Sequence, residues 1–407
     1  KWHLGDIEES YPHNQGFDEA FFTGYNQILS LNTKLAEGAN ASIGLHEDML
    51  PPDPYKLDDG FVTKGWVMIA EGKKGEKAKQ WGDNSHETYM KIDPEAQKRT
   101  LEFIERSVKE DKPFYVANWP NLTSFLPNPK KCAVARSILQ DGLQCNIDPF
   151  IAALIAKLEE LDIADNTLIV AMADNGPMSH NPPPGLGMAE TIFRGGKGDF
   201  LEGGVRVPAM AWWPGVIKPG QQVGDIIHEV DLFTTFANLA GATEYIPTDR
   251  VIDGIDQTAL LFEGDTNSRR DYVFIYAGPK LGATVKGNYK RHWISPDPVG
   301  EASGIPAAFY FLPADPREKT PMLTNLIHLK SPFNRMRLRH ELWMKKYPNN
   351  TEKFGVPWTG ISNATPEVEA LGKPKMDISK LPFDPLEYVE HLDELPFDPN
   401  MDPSLGQ

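Results

Sequence analysis

Hydrophobic positions along this chain follow two alternating periods. Over residues 148–177, DPFIAALIAKLEELDIADNTLIVAMADNGP, apolar side chains fall at Ile151, Leu154, Ile155, Leu158 and Leu161. That spacing is the single stripe of an amphipathic helix. Asp148 suits the N-cap and Pro149 the first helical position. Asp165 and Asn166 mark a turn, and TLIVAMA follows as a continuous apolar run of strand length. Such a run fits a strand covered on both faces, as in a parallel sheet. The same order occurs earlier. Residues 94–110, PEAQKRTLEFIERSVKE, predict a helix with Leu101, Ile104 and Val108 on one side, and KPFYVANW then reads as a strand. A third instance runs from the strand-like VRVPAMAWWPG to DLFTTFANLAG, residues 231–241, a helix closed by Gly241. Helix and apolar strand in alternation predict an α/β fold, with a mostly parallel central sheet flanked by helices.

The texture changes near residue 270. RDYVFIYAG and ATVKGNYKRHWI read as strands separated by glycine-containing turns, which predicts a smaller antiparallel C-terminal subdomain. The final stretch, KLPFDPLEYVEHLDELPFDPNMDPSLGQ, is rich in proline and acid and reads as an extended surface tail. The expected divisions are an α/β domain over 1–265, the antiparallel part over 266–330 and a helical, proline- and acid-rich tail over 331–407. No internal repeat is present.

Composition narrows the choices. The 407 residues are 40% hydrophobic, enough for a sizeable core, yet no stretch approaches the ~20 apolar residues of a membrane span. The net charge of -16 argues against nucleic acid or an anionic membrane as partner, since no strong basic patch offsets it. The longest basic cluster, NRMRLRH at 334–340, reads as a solvated helix face. Cys132 and Cys145 are too few for a disulfide framework or a zinc site, and spacing alone leaves a single bridge open. The glycosylation patterns at Asn40, Asn121, Asn349 and Asn363 are short and do not fix a compartment.

Three segments carry candidate chemistry. ADNGP, residues 173–177, lies just past the apolar run, where open α/β sheets bind their ligands. Asp174 and Asn175 offer adjacent hard oxygen donors of the kind that hold Ca²⁺ or Mg²⁺, although Asn-Gly is also an ordinary turn. FRGGKGDFLEGGVRVP, residues 193–208, sets Arg194, Lys197, Glu202 and Arg206 among two glycine pairs. Glycines let a backbone approach a ligand closely, and a lysine in such a loop is a point charge for a phosphate- or sulfate-like group. Lys1 and His3 add a fixed charge and a titratable donor. Together the three segments suit hydrolysis of an anionic ester, in which a metal and cations stabilise developing charge.

KWHLGD and NQGFDEAFFTGYNQ, then ADNGP, then FRGGKGDFLEGGVRVPAMAWWPG, resemble the type I sulfatases, the arylsulfatase-like branch of the alkaline phosphatase superfamily. HEVDLFTTFANLAG and VIDGIDQTALLFEG resemble the family as well, so the likeness runs from residue 1 to about 295. It implies sulfate-ester hydrolysis, with a small-molecule or carbohydrate sulfate as substrate. Asp174 and Asn175 match the second pair of calcium ligands, with calcium ahead of magnesium. Lys1 and His3 match the pair that contacts the sulfate and the catalytic residue, and Lys197 the lysine that binds sulfate and supports the leaving group. The family nucleophile is a formylglycine made from a Cys/Ser-X-Pro-X-Arg motif that precedes the Lys-X-His segment, and a first aspartate pair lies earlier still. KWHLGD therefore matches the middle of the family pattern, and the expectation is a longer natural protein. A family histidine expected shortly after KPFYVANW is replaced near Thr123 and Ser124. CAVARSILQDG, residues 132–142, has Val134 where the nucleophile motif requires proline and stands in the wrong order, so it is set aside. The resemblance favours a periplasmic or secreted protein. Two other readings stay open: a phosphate or phosphonate ester hydrolase of the same fold, and a non-catalytic relative that binds sulfated glycans. The sequence is silent on oligomeric state and on the alcohol released, whose recognition falls to variable loops such as residues 26–92.

Overall fold

The structure, a computed structural model, describes residues 1–5, 8–24, 69–82, 88, 91–121, 143–177, 192–277, 280–294, 308–322 and 327–348. Two compact units divide these residues. One is built on Lys1–Ile163, the other on Ala164–His180 and Glu190–Glu352.

In the first unit, β1 (Glu19–Thr23), β2 (Ile69–Lys73) and β3 (Lys79–Gln80) form an antiparallel sheet in that order. Phe22 and Ala70 face a core completed by Trp2, Tyr11 and Ala78, with Phe17 and Ala20 at its edge. Helix α1 (Ile92–Lys109) carries the expected stripe and buries Ile104. Its Arg99 pairs with Glu95 and with Glu71 of β2, and Arg106 pairs with Glu19 of β1, which fastens helix to sheet. Helix α2 (Asp148–Glu160) also matches the apolar stripe, but Asp148 is not its N-cap. Leu143–Ile147 is already helical and runs into α2, so the amide groups that a cap would satisfy are not at a free helix end. KPFYVANW, expected as a strand, carries no strand assignment among the described residues. Cys145 is disulfide-bonded, and Cys132 is the chain's one other cysteine.

In the second unit, β4 (Ile169–Met172) pairs antiparallel with β5 (Ala209–Trp212). Between them the one-turn helix α3 (Glu202–Val205) closes the glycine-rich segment. Helix α4 (Val230–Leu239) is followed by Gly241 at φ 66°, a left-handed stop that favours glycine. After α5 (Thr258–Glu263), strands β6 (Tyr272–Ala277), β7 (Lys280–Lys286), β8 (Tyr289–His292) and β9 (Phe309–Phe311) form the expected antiparallel sheet in chain order. Phe200 packs into its face with Ile275, Ala283, Val285 and Leu312. Helix α6 (Ile327–Lys346) carries the basic cluster. Arg335, Arg337 and Arg339 all stand exposed as expected, with Arg337 also lying over Trp293, while His340 stacks on Phe274 at 4.0 Å.

All ladders among the described residues are antiparallel. The apolar run of β4 is half-buried along its length, and β5 exposes Ala209, Met210 and Ala211. β5 runs beside β4 in the opposite sense, so this pair is antiparallel.

Asp231 and Arg270 hold the second unit together. Asp231 is fully buried and accepts from Arg270 Nε (2.8 Å) and Nη2 (2.6 Å) and from the backbone of His228 and Ile255. Arg270 also donates to the Asp253 carbonyl at 2.7 Å. Removing one partner of such a pair strands a buried charge. Arg270→Met is therefore expected to cost about 3–5 kcal/mol, read by urea unfolding, and a loss below about 1 kcal/mol would contradict the assignment.

Acid acts on the same network. Burial alone would raise the Asp231 carboxyl, but the Arg270 bonds and the two backbone donors hold it below the ordinary carboxylate range. Burial, then the Arg270 charge, holds His228 below the ordinary histidine value. Both folded values lie below the unfolded ones, so the unfolded chain takes up protons first. Stability present at pH 7 is expected to fall as pH drops below about 6.5 and further near about 4. Half-buried Glu229, held up by burial, works weakly the other way. A melting temperature that stays level from pH 7 to 4.5 would contradict this.

Candidate active site

Within the second unit the structure brings two of the three sequence-selected segments together. The ADNGP turn follows β4, and the loop 192–206 folds back against it. Gly176 N donates to Gly204 O at 2.9 Å, and Lys197 N donates to Pro177 O at 2.8 Å. The loop is closed at its neck by Gly203 N to Arg194 O at 2.7 Å. Inside it, Asp199 accepts from the amides of Gly196 and Leu201. Gly195 and Gly198 take φ of 84° and 93°, which turns the chain at Lys197.

Three glycines make this fit possible. A Cβ on Gly176 would lie 1.7 Å from the Gly203 carbonyl oxygen. One on Gly203 would lie 2.4 Å from the carbonyls of Arg194 and Gly195, and one on Gly204 2.4 Å from that of Asp199. Backbone therefore packs on backbone, which places Asp174 and Asn175 beside the segment that carries Lys197.

Asn175 donates its Nδ2 to the Gly176 carbonyl at 2.8 Å, which leaves Oδ1 as the atom suited to a cation. Burial, and after it the charge of Asp174, pushes the Glu229 carboxyl above its ordinary range. The turn thus concentrates negative charge and hard oxygen donors, a surrounding that fits a divalent cation. It supplies part of a ligand set, since no group of three or more His, Cys, Asp or Glu suited to a metal forms among the described residues. Glu229 was not singled out from the sequence; it stands beside His228 in HEVD with no spacing signal of its own.

Lys1 and His3 lie in the first unit. Lys1 N donates to Trp119 O at 3.0 Å, Trp2 N to Thr23 O at 2.9 Å and His3 N to Gly24 O at 3.1 Å. Trp2 is the inward residue: it stacks on Trp119 with ring centroids 5.7 Å apart and donates Nε1 to Ser10 O. Lys1, half-buried, and His3, exposed, flank it in the sequence. His3 has φ 61°, a conformation a non-glycine residue seldom takes. Asn121 is buried, with Nδ2 donating to Thr23 Oγ1 at 2.8 Å, so in the folded chain this sequon nitrogen is committed rather than open to a glycan. Thr123, Ser124 and Cys132 lie outside the described residues.

Comparison with known proteins gives the chain its relatives. A sulfatase family model matches residues 139–242, which span the Asp174 turn and the Lys197 loop. N-acetylgalactosamine-6-sulfatase of Canis lupus familiaris is 30% identical over 301 residues, covering 72% of this chain and 51% of that protein. Arylsulfatase of Hemicentrotus pulcherrimus is 30% identical over 325 residues, 76% of this chain and 53% of that one. The crystal structure of the PsFucS1 sulfatase from Pseudoalteromonas sp. superposes with a TM-score of 0.68 at 27% identity, covering 86% of this chain and 70% of that chain. The chain belongs to the sulfatase family. Its α/β class is accordingly that of the sulfatases, with the antiparallel C-terminal sheet in place. This sulfatase-family chain spans about half the length of the curated relatives it matches.

The glycine contacts give a prediction. Gly176→Ala must push a methyl into the Gly203 carbonyl and is expected to cost about 2–3 kcal/mol or more. Gly198→Ala meets nothing within 4 Å and bears only the strain of φ 93°, about 1 kcal/mol. Chemical unfolding of both variants checks the order; equal losses would show that the backbone contact is not limiting.

Proposed function

We propose that this chain takes part in hydrolysis of a sulfate monoester, with a sulfated carbohydrate as the leading substrate class. The observation that carries the reading is the pairing of Lys197 N with Pro177 O and of Gly176 N with Gly204 O, which sets a cation-binding turn beside an anion-binding lysine. The kinship with N-acetylgalactosamine-6-sulfatases supports the carbohydrate class.

In this proposal Asp174 and Asn175 hold a calcium ion, with Glu229 adding negative charge near it. When bound, the ion supplies positive charge that polarises the ester's sulfate oxygens. Lys197 binds the sulfate as a point charge and offsets the charge that builds on the leaving oxygen. Lys1 and His3, on the family resemblance alone, are the second cationic pair proposed for the sulfate. No Cys/Ser-X-Pro-X-Arg motif occurs in the 407 residues, so the nucleophile step is not assigned to any residue of this chain. That observation keeps one other reading in play, a family member that binds sulfated glycans without turnover. The disulfide at Cys145 supports a periplasmic or secreted location, where such bonds persist.

The test uses the natural protein, with its N-terminal sequence and intact mass determined, assayed on aryl sulfate, N-acetylgalactosamine 6-sulfate and the matching phosphate ester. Sulfate release that exceeds phosphate release supports the proposal; phosphate release that dominates would replace it with the phosphoryl reading. Binding of sulfated sugar without release would replace it with the binding reading. Lys197→Ala is expected to lower kcat/KM by about 100-fold or more, the scale of losing one charge-stabilising contact. Asp174→Asn is expected to weaken calcium about tenfold or more by calorimetry, since a carboxylate ligand is exchanged for a neutral amide. Unchanged calcium affinity would remove Asp174 from the metal site.

A further inference from the structure

Under the glycine-rich loop lies a group of ionisable side chains, Glu202, Lys290, His292 and Glu318, none more than 4% exposed, with the exposed Arg206 3.7 Å from Glu202 at its edge. Lys290 Nζ reaches Glu202 Oε1 and Glu318 Oε1, each at 3.0 Å. His292 Nε2 meets the same Glu318 Oε1 at 2.6 Å. Glu318 Oε2 accepts the backbone N–H of Glu202 at 2.7 Å, and the Glu318 carbonyl accepts from Arg194 Nη1 at 3.1 Å.

The pattern of these contacts is specific. Arg194 and Glu202 are the two sides of the loop neck, just inside the Gly203 N to Arg194 O closure. Glu318 grips both, one through its carbonyl and the other through its carboxylate. Its own backbone sits at φ 52°, a left-handed conformation that a glutamate adopts only when its surroundings impose it. Lys290 and His292 come up from one face of β8 to hold the carboxylate. Buried ion pairs are not an efficient source of stability, because apolar side chains of the same volume often serve as well. A role in fixing geometry accounts for this group better.

We propose that Glu318, held by Lys290 and His292, is a positioning residue that clamps the neck of loop 194–203 and so keeps Lys197 beside the Asp174–Asn175 turn. The catalytic consequence rests on the sulfatase reading above; the structural consequence does not.

The experiment therefore has two arms, on the natural protein. Hydrogen exchange of amides 196–204 is compared with that of β6 and β7 in the wild type, Glu318→Gln and Arg194→Met. Glu318→Gln weakens the clamp while keeping an acceptor, and Arg194→Met removes one grip without burying an unpaired charge, which covers the case that Glu318→Gln fails to fold. The expected result is loop exchange about tenfold faster in Glu318→Gln and about threefold faster in Arg194→Met, with the sheet amides changed less than either. In the second arm, sulfate-ester kcat/KM is expected to fall by about 10- to 100-fold in Glu318→Gln, mainly in kcat, as for a displaced catalytic group. Loop exchange equal to wild type, or acceleration spread evenly over the sheet, overturns the clamp. If the wild type releases no sulfate, the functional reading fails, and the exchange arm still decides the clamp.

Discussion

The second unit depends on backbone packed against backbone where no side chain fits. Gly176 faces the carbonyl of Gly203, and Gly203 in turn faces the carbonyls of Arg194 and Gly195. With any Cβ at these points the turn after β4 and the loop before α3 would move apart. Asp174 would then lose its fixed relation to the segment that carries Lys197. The proposed site depends on this: the turn proposed to hold a cation and the lysine proposed to hold the sulfate can act on one substrate only if their separation is set by the fold. Hydrogen bonds of 2.8–2.9 Å across the contact fix its register and add direction to what sterics alone would leave loose.

The second unit also holds two buried charge groups, and they differ in kind. Asp231 and Arg270 join helix α4, the segment at Asp253–Gln257 and the start of β6, all remote in sequence. Every polar atom the pair presents to the interior is matched by a backbone partner or by the other residue, so the group works as a rivet. The Glu318 group is different. It places two carboxylates against one lysine and a histidine, and burial, with Glu318 opposing it, holds His292 below its ordinary range. Its connections join β8 and Glu318 to the glycine-rich loop at Arg194 and Glu202.

Much of this was legible in the sequence, for identifiable reasons. Helices α1, α2 and α4 were visible because their apolar stripes have the helical period, and the β6–β8 hairpins because glycine-containing turns separate short apolar runs. The Asp174 turn and the Lys197 loop were visible as segments, since glycine pairs around charged residues are unusual. Their mutual contact was not: it is made by main-chain atoms about 20–30 residues apart, and no side-chain pattern encodes it. The α/β class was legible in the alternation of helices and apolar strands, whereas the antiparallel pairing of β4 with β5 was not, because an apolar run cannot tell which neighbour a strand takes. Asp148 was mistaken for a cap because nothing in LQCNI announces that the helix has already begun. Lys290 and His292 did leave a signal, a Lys-X-His on one face of a predicted strand, but the same spacing at an exposed face is common.

Strain separates the two places where anion-handling or anchoring residues meet the backbone. His3 at φ 61° and Glu318 at φ 52° are both non-glycine residues in the left-handed region. Such a conformation costs on the order of 1–3 kcal/mol and persists only when neighbours impose it. At His3 the imposing contacts are main-chain bonds at Trp2 and His3 and the burial of Trp2 between Trp119 and Phe17. At Glu318 they are the carboxylate's three partners and the Arg194 bond to its carbonyl. At both places these contacts hold the chain in this conformation, at His3 from its N-terminal side and at Glu318 through the side chain and carbonyl. That is the behaviour expected of residues whose direction matters more than their contribution to stability.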